Sequence, residues 1–261
     1  MKFVVVINNK GGVGKTTSAV NLAAGFARLR QRCLLVDLDP SASASLHLGF
    51  NLEQKKHQTI CDFFINPQGK LSDYIYPVDD GFLYCLPSEP ALSEFYEEIQ
   101  QEEETDSFLK RADFPQKYDI VLFDSPPNMG NLALNALSIA DYVLIPIQTQ
   151  YLALSGLEVT LNTIDKTRRH LNPKLKILGY FGTQYDRRTR VAKEVYSHIK
   201  QRFGRQVFQT VIGVNSKLIE AYNARRPILQ YAPSARGAKE YLALAEEVLQ
   251  RMHVSGGKYG T

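Results

Sequence analysis

The sequence predicts an α/β fold: one domain over residues 1–261, with a mainly parallel, twisted sheet and helices on both faces. Three observations carry that prediction. Apolar runs such as Phe3-Val4-Val5-Val6-Ile7, Cys33-Leu34-Leu35-Val36 and Tyr142-Val143-Leu144-Ile145-Pro146-Ile147 have no polar alternation, as strands buried on both faces require. Stretches with helical spacing separate them, so strand and helix alternate along the chain. The runs also end in glycine-rich or acidic segments, and open parallel sheets bind ligands beyond the carboxyl ends of their strands. With 261 residues, 44% hydrophobic and 22% charged, the chain is large enough to bury a full core.

The first strand leads directly into Lys10-Gly11-Gly12-Val13-Gly14-Lys15-Thr16-Thr17, and Ser18–Ala27 continues it as a helix. Strand, glycine loop and helix together form the context in which a Gly-Lys-Thr match means phosphate binding, the P-loop NTPase arrangement. Gly11, Gly12 and Gly14 let consecutive backbone N–H groups turn toward one anion, and the helix start adds its free N–H groups. In this reading Lys15 reaches the β- and γ-phosphates, and the Thr16 hydroxyl ligates Mg²⁺.

The second strand, Arg32–Val36, runs into Asp37-Leu38-Asp39-Pro40. Both carboxylates therefore face the same crevice as the glycine loop. Asp39 is placed to orient a water at the γ-phosphate, and Asp37 to support Mg²⁺ or its water shell. Residues 46–117 say less: Thr59–Phe64 suggests a short helix, Gly81–Pro87 a strand, and Leu92–Asp113 two helices around a very acidic, solvated junction at 94–106. Tyr118–Asp124 is the next core strand, closed by a carboxylate, with Asp124 beside Mg²⁺. Ser125-Pro126-Pro127 forces an extended exit. After Tyr142–Ile147 come a helix to Leu171, a strand at Lys176–Phe181, a helix over 189–202, a short strand near Val207-Phe208, and a last helix over Ala238–Met252.

No apolar run approaches the roughly 18 residues of a membrane span. Met1-Lys2 runs directly into the first strand, with no charged leader, and Cys33, Cys61 and Cys85 belong to no pairing motif. These features predict a cytoplasmic protein with buried free thiols. Net charge is only +4, yet residues 165–251 hold 18 Lys and Arg against 7 Asp and Glu. That basic half points toward a polyanion.

A phosphate loop needs only Lys15, yet Lys10 adds a second lysine. Lys-Gly-Gly-Val-Gly-Lys-Thr-Thr resembles the deviant Walker A box of the ParA/MinD family of dimerising ATPases. Asp37-x-Asp39-Pro40, Asp124-x-Pro126-Pro127 and the segments at 186–190, 210–215 and 234–242 are similar to ParA-type partition ATPases over nearly the whole chain. The resemblance implies ATP and Mg²⁺ held between two subunits, with Lys10 acting across the interface. It also implies Asp39-Pro40 and Pro126-Pro127 as switches, and Asp39 as the catalytic carboxylate. Arg188, Lys217 and Arg236 match its basic positions best and imply nucleoid association through sequence-independent DNA contacts by the ATP-bound homodimer. A ParB-like activator would stimulate hydrolysis during segregation of plasmid or chromosomal DNA. Three departures stand out: Ser41-Ala42-Ser43-Ala44-Ser45 where the family commonly has Gln-Gly-Asn, Gly213-Val214 where Pro and Arg are usual, and Lys217 where Arg is frequent. A MinD-like membrane ATPase expects an amphipathic tail, which Val254–Thr261 does not resemble. An iron–sulfur reductase expects interface cysteine pairs. The remaining alternative is an ATPase that positions a protein cargo on the nucleoid.

Overall fold

Strand residues with side chains on alternate sides divide the apolar interior into two layers. The computed structural model describes residues 1–51, 54, 56–66, 68–79, 81–98, 108–128, 130–150 and 155–256. Its strands are β1 (Lys2–Val6), β2 (Cys33–Asp37), β3 (Tyr76–Pro77), β4 (Leu83–Leu86), β5 (Ile120–Asp124), β6 (Tyr142–Gln148) and β7 (Lys176–Thr183). They form one sheet in the order β3-β4-β2-β5-β1-β6-β7, parallel throughout except for the β3–β4 pair.

The helices are α1 (Lys15–Arg28), α2 (Ser43–His47), α3 (Ile60–Ile65), α4 (Ala91–Glu98), α5 (Phe108–Arg111), α6 (Asn131–Ile139), α7 (Ser155–His170), α8 (Arg190–Phe203), α9 (Ser216–Asn223), α10 (Ile228–Tyr231) and α11 (Arg236–Gly256). On one face of the sheet, Val5, Leu34, Val121, Phe123 and Ile145 pack with α3 to α8. On the other, Val4, Val6, Leu35, Leu122 and Leu144 pack with α1, α2 and α9 to α11. Residues adjacent in sequence thus serve opposite layers, which is why the central strands read as unbroken apolar runs. The predicted fold class holds.

Three details differ from the sequence reading. Val207-Phe208 does not form a strand: it makes one parallel bridge at Tyr180, with Phe208 N–H donating to the Tyr180 carbonyl at 2.7 Å. Gly204, just before it, has a positive φ that turns the chain out of α8 and prevents a longer ladder. The antiparallel edge at Tyr76-Pro77 and the helices α2, α6, α9 and α10 are additions to the predicted elements. The acidic segment begins within α4, and residues 99–107 lie outside the described residues.

β1 is an interior strand, flanked by β5 and β6. The chain moves outward through β2 and β4 on one side and through β6 and β7 on the other, so the carboxyl end of β1 is the switch point where a crevice opens. Cys33, Cys61 and Cys85 are buried and free, and burial pushes each thiol up, Cys61 to about 12. They remain protonated and act as packing.

Candidate functional site

The glycine loop occupies the carboxyl end of β1. Gly12 and Gly14 have φ of 73° and 83°, a left-handed setting that a Cβ disfavours. Gly14 is the residue before α1, and no side chain caps that helix and no acid lies in its first turn. The first-turn N–H groups of Lys15, Thr16 and Thr17 and the positive end of the helix are therefore left for an anion. Lys15 is buried and Nζ donates to the Lys10 carbonyl at 3.1 Å, folding the side chain back over the loop. Burial lowers its pKa, and the nearby Asp124 and Asp39 carboxylates oppose that fall.

Two residues at the end of β7 orient the loop from outside. Thr183 Oγ1 donates to the Val13 carbonyl at 2.8 Å, and Gln184 Nε2 donates to the Gly12 carbonyl at 2.7 Å. No peptide among the described residues is cis. In a trans peptide C=O and N–H point opposite ways, so anchoring these carbonyls toward β7 turns the Val13 and Gly14 N–H groups away from it, toward the loop interior. Sequence reasoning missed Thr183, Gln184 and Gln148. They stand at the carboxyl ends of β6 and β7, and applying the strand-end rule to those strands would have found them.

Asp37 and Asp124 are register partners on adjacent strands, and both are fully buried. Their environments differ. Asp37 Oδ1 accepts from Asp39 N–H at 3.1 Å, and Oδ2 accepts from Ser45 N–H at 2.8 Å and Ser45 Oγ at 2.7 Å. Asp124 makes no hydrogen bond through either oxygen. Burial pushes the Asp37 carboxyl up to about 6, against its three hydrogen bonds. Asp124 rises well above the usual carboxylate range through burial and the Asp37 charge, with Thr16 and Lys15 opposing in part. A buried carboxylate with two unmet oxygens fits a cation. No group of three or more His, Cys, Asp or Glu among the described residues holds a metal unaided. That suits Mg²⁺, which takes one or two protein ligands and completes its shell with water and phosphate. Asp37, by contrast, spends its oxygens on the loop beyond β2, so of the predicted metal residues Thr16 and Asp124 carry the fit.

That loop explains the serine-rich departure. Asp39 Oδ1 accepts from Ser41 N–H at 2.9 Å, Ala42 takes a φ of 50°, and the Ser41 and Ser43 hydroxyls lie 2.9 Å apart. Ser45 closes the loop on Asp37 and accepts from Ser88 N–H at 3.0 Å. Pro40 is partly buried beyond Asp39, Pro126 is buried and Pro127 exposed, with Ser125 Oγ tied to the Val6 carbonyl at 2.8 Å. A cavity of about 320 Å³ adjoins the loop, lined by Thr17, Ile212, Gly213, Asn215, Leu218 and Tyr241 among others. Larger hollows of about 450 and 870 Å³ lie at the opposite, amino ends of the strands, around Tyr142, Lys176 and Gln206, away from these charged groups.

The basic residues lie on the segments around α8, α9 and the start of α11. Arg188 makes a two-point pair with Asp186 at 2.8 and 2.9 Å, Lys217 pairs with Glu220 at 2.7 Å, and Arg236 pairs with Glu240 at 3.3 Å. Arg187 also meets Glu240, at 3.8 Å, so Arg187 and Arg236 converge. The residues are exposed, but each of the three singled out already has a carboxylate partner. Arg225 and Arg226, between α9 and α10, have no ion pair among the described residues.

The comparisons with known proteins agree with this geometry. A family model described as an AAA domain matches residues 1–177. The chain is 42% identical over 253 residues to the chromosome-partitioning ATPase Soj of Thermus thermophilus, covering 97% of each. The chain belongs to the ParA/Soj family of partition ATPases. It is also 36% identical over 252 residues to the chromosome partitioning protein ParA of Myxococcus xanthus, covering 96% of this chain and 88% of that one. Among solved structures it is similar to cobyrinic acid a,c-diamide synthase from Mycobacterium smegmatis with a bound ATP analogue and magnesium. There the TM-score is 0.85 at 28% identity, covering 99% of this chain and 97% of the other. No helix among the described residues is long and apolar enough to cross a membrane.

Two outcomes follow from the loop behind Asp37. Ser45→Ala removes a hydrogen bond to a buried carboxylate and one to Ser88 N–H, and should lower unfolding free energy by about 2 kcal/mol in a urea titration. His47 is buried, its Nε2 donating to the Arg226 carbonyl at 3.2 Å while Nδ1 has no partner, and burial lowers its pKa to about 4. A lowered histidine contributes stability above its ordinary 6.5 and loses it as pH falls toward 4. The raised Asp37 works the other way, losing its contribution as pH climbs through about 6. The difference between wild type and His47→Gln isolates the first effect. From pH 7 to pH 5 the wild type should lose about 1–2 kcal/mol more than the variant.

Proposed function

We propose that this chain is a dimerising ATPase that partitions DNA, binding ATP and Mg²⁺ at the crevice above β1, β2 and β5 and binding DNA without sequence preference. The observation that supports it most is the pairing of a glycine loop with its amides turned inward and a buried carboxylate, Asp124, whose oxygens are not satisfied by a hydrogen bond and which has Thr16 and Lys15 beside it. Together they offer donors for phosphate and an acceptor for a cation. Mg²⁺ bound there would neutralise charge on the β- and γ-phosphates. The chain's own residues do the rest. Lys15 and the α1 amides hold phosphate, Thr16 and Asp124 hold the ion, and Asp39 orients the attacking water. The apolar cavity beside Thr17 has room for a base. Catalysis is positioning and charge compensation rather than covalent chemistry.

Lys10 supplies the second part of the reading. It lies beside the loop without being needed by it, and the proposed role is to reach the nucleotide of a second subunit. Pairing two subunits aligns two basic faces, so DNA affinity rises when ATP binds. A ParB-like activator then stimulates hydrolysis and dissolves the pair, with the protein working on the nucleoid.

These roles separate in variants. Lys15→Ala should lose ATP binding in calorimetry. Asp39→Ala should bind ATP, accumulate as a dimer in light scattering and turn over little; a wild-type rate with DNA and activator present would remove its catalytic role. Adding Lys10→Ala to that protein should return it to monomer.

The DNA face is tested by titrating salt against binding to two unrelated duplexes, with ATP and with ADP. The affinities for the two duplexes should match, be stronger with ATP, and fall with salt at a log–log slope of about −0.9 per phosphate contacted. Arg188, Lys217 and Arg236 must exchange a carboxylate for a phosphate, whereas Arg225 and Arg226 need not. Arg225→Ala/Arg226→Ala should therefore weaken binding at least as much as Arg188→Ala/Lys217→Ala. Equal affinity in both nucleotide states would contradict the ATP-dependent DNA face.

A further inference from the structure

Two glutamines outside the glycine loop hold its second lysine. Lys10 Nζ donates to Gln148 Oε1 at 3.3 Å, Gln148 Nε2 donates to Gln184 Oε1 at 2.8 Å, and Gln184 Nε2 donates to the Gly12 carbonyl at 2.7 Å. The direction of this chain is fixed at both ends. An ammonium only donates and a carbonyl only accepts, so flipping either amide would set donor against donor at one contact and acceptor against acceptor at the other. The chain therefore runs one way, from Lys10 back to the loop that Lys10 itself opens.

Gln184 is held in this position against its backbone preference. Its φ is 50°, a left-handed setting that residues other than glycine rarely adopt. The Thr149 hydroxyl donates to its carbonyl at 3.4 Å, and Thr183 before it is tied to Val13. Strain of this kind persists where the surroundings over-determine it, and it clusters at functional sites. Both side chains reach solvent, Gln184 exposed and Gln148 half-buried, so neither is needed to fill the core.

We propose that Gln148 and Gln184 are positioning residues that latch Lys10 onto its own subunit and thereby set the threshold for dimerisation. This rests on the role across the interface proposed above for Lys10. A lysine held in cis must leave Gln148 Oε1 before it reaches a second subunit, and two such contacts are lost for each dimer formed. Because the far end of the chain is anchored on Gly12, the latch keeps its geometry only while the glycine loop keeps its own. The two glutamines touch neither phosphate nor the attacking water.

The test measures the dimer dissociation constant by sedimentation, with a non-hydrolysable ATP analogue and Mg²⁺. Gln148→Met and Gln184→Met keep side-chain length and remove the amide, and Gln184→Met also frees the Gly12 carbonyl. The comparison is therefore made with each variant saturated by the analogue, where each should tighten the dimer by about fivefold or more. Gln148→Glu replaces a dipole with a charge facing the ammonium and should weaken it. A brace that merely supports the loop would not give opposite signs at one position. Analogue affinity and thermal melting are measured for every variant, and a variant that melts with the wild type is folded. Wild-type or weaker dimers from both Met variants would overturn the latch, and so would a dimer tightened equally by Met and by Glu at 148. Lys10→Ala, measured alongside, separates the two claims. If it dimerises like the wild type, the trans role of Lys10 fails. If it stays monomeric while the Met variants show no tightening, only the latch fails.

Discussion

Two carboxylates buried side by side are the constraint on which the rest of this molecule depends. Asp37 and Asp124 end adjacent parallel strands in register, and neither reaches solvent. Burial and mutual repulsion both disfavour their charged forms, a cost that folding meets only in part. Asp37 is compensated by the backbone and hydroxyl of Ser45, which draws the serine-rich loop and α2 down onto the strand end. Asp124 is left without a hydrogen bond. The arrangement is asymmetric: one carboxylate builds the wall of the crevice, and the other is held ready for a cation.

The same crevice fixes the phosphate loop. α1 begins at its edge without a side-chain cap, and β7 sends Thr183 and Gln184 across to turn the loop's carbonyls outward. Anion donors and the cation acceptor thus come from four strands whose carboxyl ends meet at one place. This is the consequence of putting β1 inside a parallel sheet, between β5 and β6, because the neighbouring connections then leave across the same rim.

Much of this was legible in the sequence, for physical reasons. Strands such as Phe3–Ile7 and Tyr142–Ile147 are buried on both faces, so their residues are apolar without interruption. The glycine loop needs left-handed backbone, so its glycines stand in a recognisable order. What could not be read depends on contacts between distant residues. Nothing local distinguishes Asp37, whose oxygens are satisfied by the chain, from Asp124, whose oxygens are not. That difference comes from Ser45, which sits in α2, the short helix entered through Ala42 at positive φ. Val207-Phe208 has the composition of a strand, but the turn at Gly204 limits it to a single bridge. The basic face was visible as an excess of charge, and the pairs of Arg188, Lys217 and Arg236 with Asp186, Glu220 and Glu240 are local in sequence, whereas the approach of Arg187 to Glu240 appears only when α11 is placed. Those pairs occupy three of the basic side chains and shift attention to Arg225 and Arg226.

The asymmetry between the two carboxylates is tested most directly by thermal unfolding of the wild type and Asp124→Asn, each alone and with ATP in the presence and absence of Mg²⁺. Without ligand, the variant should melt at or above the wild type, because one member of a buried like-charge pair is gone. With ATP, Mg²⁺ should raise the wild-type melting temperature and leave the variant almost unmoved. A variant that melts well below the wild type without ligand, yet keeps the full Mg²⁺-dependent rise, would contradict the account.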